Sequence, residues 1–223
     1  MMNDEERLSV PSYEDELNGD LAQRKREIAS QSQLIEGAAD LHHKQVLSRF
    51  GVVLLCAHWE GFVKFAVKRY LDLFEGCVIA KAPSPIKAAI IRKRYGGNRE
   101  RHPRVGYKLF ADVLTNLGAK DLRAPRDLRK IIDYDFDGKV NFQNLNLFFI
   151  MFGLEVTDDL KLKEKFINNE LIQTRHAIAH GEFKFIEAAD FFNMKEQILA
   201  LFEILKAQFA EAAERSLKIM TPR

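Results

Sequence analysis

The sequence has few of the features that mark a secreted or membrane-bound protein. It contains two cysteines among 223 residues, which is too few for a disulfide framework, so we expect Cys56 and Cys77 to be reduced and packed. The acidic N-terminal segment has no apolar region like that of a secretory signal. The longest apolar runs, 52–57 and 147–154, are far shorter than the roughly 18 residues of a membrane span. We therefore expect a cytoplasmic protein with no membrane partner.

Alternation of apolar and polar residues, the pattern of a half-buried strand, is missing from any stretch of useful length. Internal repeats and low-complexity tracts are absent as well. Helical spacing of apolar residues instead dominates three long stretches, 13–39, 44–74 and 188–217. Pro and Gly punctuate the middle of the chain, where we expect shorter helices, among them 145–152 with Asn144 as its N-cap. The sequence predicts an all-α helical bundle.

The usual spacings of metal and phosphate sites are also lacking. The six histidines and two cysteines form no zinc motif, and residues 95–98 lack the Lys-Ser/Thr of a phosphate-binding loop. The stretch 133–144 is similar to an EF-hand calcium loop, but its last position is Asn144, where calcium needs a bidentate Glu. A turn that caps the following helix explains Asn144 as well. We expect no metal and no cofactor.

Positive charge is concentrated in one part of the chain. Between Lys81 and Lys130 there are 14 Lys/Arg and four Asp/Glu, a net charge of +10, so the rest of the chain carries −8 within a total of +2. This asymmetry is common in proteins that bind polyanions, although a solvated basic face has the same composition. We predict a basic short-helix insertion at about 81–140 that contacts RNA. The residues predicted to bind RNA are Arg92, Lys93, Arg94, Arg99, Arg101 and Arg104.

The segment that carries the chemistry is 164–182, with the sequence EKFINNELIQTRHAIAHGE. Its apolar residues follow helical spacing and predict one buried face, from which Arg175, His176 and His180 fall away. An imidazole titrates near neutral pH and acts as a general acid or base, whereas a guanidinium fork suits a phosphate. RNA carries its own nucleophile, the 2′-hydroxyl, so such a pair needs no metal. The structural alternative is that these cations complement the dipole at a helix C-terminus.

The geometry of the motif leaves several arrangements open. Gly181 directly follows His180 and is well placed to end the helix. Arg175 and His180 are five residues apart, so on an ideal helix their directions differ by about 140°. A distortion near the helix end, a long reach by the Arg, or two motifs facing each other in a dimer would bring them together. We prefer the dimer, because it places one His on each side of the phosphate.

Two strings in the sequence resemble a known superfamily. Residues 175–181, RHAIAHG, resemble the R-x4–6-H signature of the HEPN superfamily, in which a polar residue commonly follows the Arg. Residues 57–64, AHWEGFVK, resemble the second core helix of a bacterial HEPN branch similar to the RiboL-PSP group, found in defence and toxin systems. Their order and spacing suit a four-helix HEPN core. The resemblance implies a single HEPN-like domain over 1–223, with the basic helical insertion at about 81–140.

The resemblance also implies an activity and a site. The activity would be that of a metal-independent endoribonuclease, a toxin or antiphage-defence effector, in which two motifs share a cleft across a homodimer. Arg175 would bind the scissile phosphate and His180 would transfer protons. His176 would assist these two residues or orient them. Attack by the 2′-hydroxyl would leave a cyclic-phosphate end. Glu60 is a candidate to line the cleft, although an i,i+4 ion pair with Lys64 explains it as well.

The partners implied by the resemblance are RNA, a second copy of the chain, and an antitoxin or another defence-system protein. Some family toxins carry, two residues after the final His, a Tyr that a partner nucleotidyltransferase modifies. Here that residue is Glu182, so we do not expect this form of silencing. The alternative function is a non-catalytic helical module of a defence complex that binds nucleic acid or protein, with Arg175 and His180 capping a helix or contacting a partner.

Overall fold

In the computed structural model, the described chain is almost entirely helical. The structure describes residues 10–79, 82, 84, 86, 87, 124, 128, 140–152 and 154–220. No strand occurs among these residues, so the all-α prediction is confirmed. The helices are α1 (Val10–Glu36), α2 (Leu41–Asp72), α3 (Phe142–Phe152), α4 (Asp158–Lys161), the π-helical segment Phe166–Ile172, α5 (Gln173–Ala179) and α6 (Ala188–Met220). The three predicted long helices are α1, α2 and α6, with ends displaced by at most three residues.

Four helical elements build the core of the bundle. Helices α1, α2 and α6 pack on one another, and the π-helical segment together with α5 packs on α2. The connection between α1 and α2 is only four residues long, which makes the two helices antiparallel neighbours. The buried residues of α1 recur at steps of four and seven and therefore form a single stripe towards the core. They include Tyr13, Leu17, Leu21, Ile28 and Ile35.

Aromatic side chains fill the centre of this core. Phe209 of α6 packs edge-to-face on Phe149 of α3, with ring centroids 5.5 Å apart. Trp59 of α2 is fully buried, and its Nε1 donates to the carbonyl oxygen of Val140 at 2.8 Å. This hydrogen bond attaches the chain just before α3 to the middle of α2.

Helices α2 and α6 approach each other closely at Gly51. A Cβ at this position would lie 2.5 Å from Cε2 of Phe191, whose ring is fully buried. Because neither the ring nor the helix backbone has room to move, only glycine fits here. This glycine therefore allows α2 and α6 to approach closely here.

Helix α3 begins three residues earlier than predicted. The side-chain Oδ1 of Asn141 accepts the N–H of Asn144 at 2.7 Å, so Asn141 is the N-cap and the prediction of Asn144 is wrong. A second side chain completes this helix start, since Oδ1 of Asn168 accepts the N–H of Phe142 at 3.0 Å. The sequence contains an Asn at both positions, and the hydrogen bond to Asn141 identifies the cap.

Helix α2 is long and apolar enough to cross a membrane by length and composition. More than half of its most apolar window is buried in the protein, however, as in the core helix of a globular domain. The cytoplasmic location stays a prediction. Cys56 and Cys77 are both buried and are not joined in a disulfide, which confirms the prediction of packed thiols.

A buried histidine lies between α1 and α2. The Nε2 atom of His58 is 3.5 Å from Oε2 of Glu27 but does not have the geometry of a hydrogen bond to it. Burial lowers the pKa of His58, Arg24 lowers it further, and the carboxylates of Glu27 and Asp20 oppose the shift. The folded protein therefore favours the neutral imidazole.

We expect this histidine to weaken the fold in mild acid. As the pH falls below about 6.5, the unfolded chain binds a proton that folded His58 takes up only at lower pH, so the free energy of unfolding decreases. The stabilisation is present above the unfolded pKa and is lost as the pH falls through the folded pKa. Urea unfolding at about pH 7.5 and about pH 5.5 should therefore show a larger loss for the parent than for His58→Gln. Equal losses for the two proteins would show that another group governs the acid sensitivity.

Candidate functional site

Helix α5 ends in a Schellman motif. The N–H of Glu182 donates to the carbonyl oxygen of Ala177 at 3.0 Å, and the N–H of Gly181 donates to that of Ile178 at 3.1 Å. Gly181 has a φ of +78°, which residues with a side chain rarely adopt. Gly181 is therefore the helix stop, as predicted, and His180 is the last residue before the turn.

Two imidazoles lie together at this helix end. His176 and His180 are one turn apart, with ring centroids 4.1 Å apart and ring planes tilted by 53°. Both side chains are exposed, so a bound molecule can reach either ring. The pair places two imidazoles, the side-chain type that most often acts as a general acid or base, at one point of the surface.

Arg175 lies at the junction between α5 and α2. Burial raises the pKa of the Cys56 thiol in α2 to about 12, Glu60 also raises it, and the Arg175 guanidinium lowers it. The two charged groups therefore lie close to the same thiol, and both side chains are half-buried. Cys56 is protonated at neutral pH and is not a nucleophile. Cys56 is thus influenced by a cation from the motif helix and by a carboxylate from the second string found in the sequence.

The helix that carries the motif is irregular at both ends. Before Arg175, the N–H of Gln173 donates to the carbonyl oxygen of Asn168, five residues back, as in a π-helix. After it, His180 has φ −90° and ψ 10°, outside the α-helical region. The described residues include no hydrogen bond between Arg175 and His180. The pairing of two motifs in a dimer stays a prediction. Segments of π-helix are rare and often occur at functional sites.

Two residues beside the motif were missed by the sequence analysis. Nη2 of Arg49 in α2 donates to the carbonyl oxygen of Glu182 at 3.2 Å, and its Cζ lies 5.6 Å from the centroid of the Phe183 ring. Phe183 is 83% exposed. The alternation of aromatic and basic residues in Phe183, Lys184 and Phe185 is a sequence signal that points to this place. Arg49 has no such signal, because only the packing of α2 brings it here.

Several predicted residues lie outside the described residues. They are Arg92, Lys93, Arg94, Arg99, Arg101 and Arg104, together with most of the insertion at 81–140 and residues 133–139 of the EF-hand-like stretch. Within the part of the chain that the structure describes, no group of three or more His, Cys, Asp and Glu is placed to hold a metal ion.

A comparison with protein families supports the HEPN interpretation. The model of the RiboL-PSP-HEPN family matches residues 20–211, a range that extends from α1 into α6 and contains both strings. Comparisons with curated proteins and with solved structures gave no match. The helical fold agrees with the family match. The chain therefore belongs to the RiboL-PSP-HEPN family.

Proposed function

We propose that the protein is a metal-independent endoribonuclease that uses Arg175 and His180. Membership of a HEPN family indicates an RNase or another nucleic-acid-related function. The observation that carries the finer proposal is the exposed, adjacent pair of His176 and His180, which follows a half-buried arginine at the end of one helix. Exposed imidazoles and a guanidinium are the groups that phosphodiester cleavage by proton transfer needs.

The reaction uses the nucleophile of the RNA itself. His180 accepts the proton of a 2′-hydroxyl, whose oxygen attacks the adjacent phosphorus. The bond between O2′ and phosphorus forms, the bond between phosphorus and O5′ breaks, and a protonated imidazole delivers a proton to O5′. The products are a 2′,3′-cyclic phosphate and a 5′-hydroxyl. Arg175 binds the non-bridging oxygens and stabilises the charge that develops on them in the transition state.

Two further residues have supporting roles in this proposal. The ring of His176, 4.1 Å from that of His180, restricts the orientation of the catalytic imidazole. In this proposal Glu60 of α2 lines the cleft near Arg175. The support for this role is that both groups act on the same Cys56 thiol.

The proposal includes a homodimer. In-line displacement needs a base on one side of the phosphorus and an acid on the other. His176 and His180 of one copy are neighbours at one helix end, so both would face the same side of the phosphorus. A second copy supplies an imidazole on the opposite side. Exposed apolar side chains at the corner between α1 and α2 provide a surface for this association. They are Leu34, Leu41 and Phe50, which are 58%, 69% and 62% exposed.

The biological setting belongs to the proposal as well. In this proposal the protein is a toxin or antiphage-defence effector, and an antitoxin or defence-system partner restrains its activity. The basic segment 81–130, with its net charge of +10, holds the RNA backbone. The support for this assignment is the family match and the charge asymmetry of the sequence.

Cleavage of a mixed single-stranded RNA pool in EDTA tests the activity. We expect the parent to cut and to leave cyclic-phosphate and 5′-hydroxyl ends, detected by mass spectrometry. Arg175→Ala should lower the rate by about 10²–10³-fold, the usual loss when one donor to a developing oxyanion is removed. Arg175→Lys keeps the charge but loses the planar fork, so its rate should lie between the two.

The matched control is Arg215→Ala, which removes a surface arginine of α6 that pairs with Glu211 at 2.8 Å. We expect this variant to cut like the parent, because exposed ion pairs contribute little to stability. Cleavage that EDTA abolishes, or that Arg175→Ala leaves unchanged, would contradict the proposal. If no protein cuts and the Arg175 variants lose a binding partner instead, the non-catalytic module is the correct function.

A further inference from the structure

The chain directly after the motif exposes two aromatic rings. Residues 182–187 form no helix, and within them Phe183 is 83% and Phe185 is 53% exposed. Lys184, between the two rings, is exposed as well. Large apolar side chains next to one another in solvent are unusual in a folded protein, and they commonly mark a binding surface.

This segment is nevertheless held in place. The N–H of Glu182 is bound to the end of α5, and its carbonyl oxygen accepts from Nη2 of Arg49 at 3.2 Å. The same guanidinium lies against one face of the Phe183 ring, 5.6 Å from its centroid. The other face of the ring is open to solvent. Arg49 thus fixes both the backbone and the ring, and it adds a positive charge beside them.

We propose that Phe183, supported by Arg49, is a stacking platform for an unpaired base of the RNA next to the scissile phosphate. This inference rests on the proposed function for the identity of the ligand. Every nucleobase has a face that stacks on an aromatic ring, and proteins that bind single-stranded RNA combine such rings with nearby cations. The open face of Phe183 meets the first requirement, and the guanidinium of Arg49 meets the second.

The position of the ring fits a base that flanks the cleavage site. Phe183 is three residues from His180, so their Cα atoms are at most about 10 Å apart. Arg49 lies against the ring and Lys184 follows it in the chain, so two cations adjoin Phe183, and the acid directly before it is Glu182. This local excess of positive charge favours a polyanion over an apolar protein surface as the occupant. The platform therefore binds the strand whose phosphate reaches the motif.

The test measures RNA binding without cleavage. Every variant is made in the His180→Ala protein, and the probe is a fluorescently labelled single-stranded RNA of mixed sequence, followed by anisotropy. We expect Phe183→Ala to weaken binding by about 5- to 150-fold, the loss for one stacked base. Phe183→Trp should retain binding, because indole stacks at least as well, whereas Phe183→Leu should behave like the alanine variant.

The matched control is Leu162→Ala, which removes a side chain that is 80% exposed in the turn after α4. We expect it to leave RNA binding unchanged. The inference is overturned if Phe183→Leu binds as well as Phe183→Trp, because the site then needs an apolar group rather than a ring. It is also overturned if Phe183→Ala lowers self-association in sedimentation but not RNA binding, which would make the ring a protein contact.

The outcomes separate this inference from the nuclease proposal. If RNA binding depends on the ring but the parent does not cut RNA, the platform stands and the nuclease proposal fails. If the parent cuts RNA at the same rate and with the same KM after Phe183→Ala, the nuclease stands and the platform fails. Circular dichroism of each variant verifies that the helical fold is intact.

Discussion

RNA cleavage by His180→Ala is expected to be about 10²–10⁴-fold slower than cleavage by the parent. Alanine removes the imidazole that accepts the 2′-hydroxyl proton in the proposed reaction. The initial rate on single-stranded RNA in EDTA, with the fold verified by circular dichroism, gives the comparison. His180 is exposed at the end of a helix, so this substitution should not cost the protein its stability.

The matched control is His43→Ala, which removes an exposed imidazole from the first turn of α2. We expect it to cut at the rate of the parent. A His180→Ala protein that is folded and fully active would refute the assignment of the catalytic residue.

The same protein tests the dimer: with RNA in excess, added His180→Ala subunits should lower the activity of the parent, because mixed dimers have one imidazole fewer in the cleft. Undiminished activity after subunit exchange would indicate independent monomeric sites.

Trp59→Ala is expected to lower the free energy of unfolding by about 3–5 kcal/mol. The indole is fully buried in α2, and its removal leaves a cavity in the core as well as an unpaired carbonyl oxygen at Val140. Because Trp59 is the only tryptophan in the chain, urea unfolding should be followed by circular dichroism rather than by fluorescence. A loss of this size is a large fraction of the stability of a typical domain.

Trp59→Phe separates the two contributions. Phenylalanine keeps an aromatic ring in the core but cannot donate to Val140, so we expect a smaller loss, which includes about 1–3 kcal/mol for the unsatisfied carbonyl. A Trp59→Phe protein as stable as the parent would show that the hydrogen bond at 2.8 Å adds no net stability. The second sequence string, AHWEGFVK, would then owe its tryptophan to packing alone.

The bundle could be predicted from the sequence because its long helices obey one rule. Apolar residues at steps of three and four, uninterrupted by proline, predict α2 and α6 to within three residues at each end. The end of α5 was equally predictable, since Gly181 is the residue type that a left-handed helix stop requires. These features depend on residues that are close together in the sequence, so they can be predicted from it.

The site was predictable only in part, because its geometry comes from contacts between helices. His176 and His180 could be placed on the exposed side of α5 from the sequence. The position of Arg175 near Cys56 of α2 could not, because it results from the packing of the two helices. Arg49 approaches the motif from a position 131 residues earlier than His180 in the chain, and no periodicity indicates this. The N-cap of α3 was misplaced for the same reason, since Asn168 completes it from another element.

The π-helical segment Phe166–Ile172 makes the chemistry of the motif depend on chain length as well as on composition. Each residue turns a regular helix by about 100°, so the number of residues before Arg175 sets which way every later side chain faces. A chain one residue shorter there would keep the letters RHAIAHG intact but would lose the wider hydrogen-bonded turn that now precedes them. The letters of the R-x4–6-H motif therefore do not fully describe this site. The directions of the motif side chains relative to α2 also depend on the seven residues of the π-helical segment, none of which is a proposed catalytic residue.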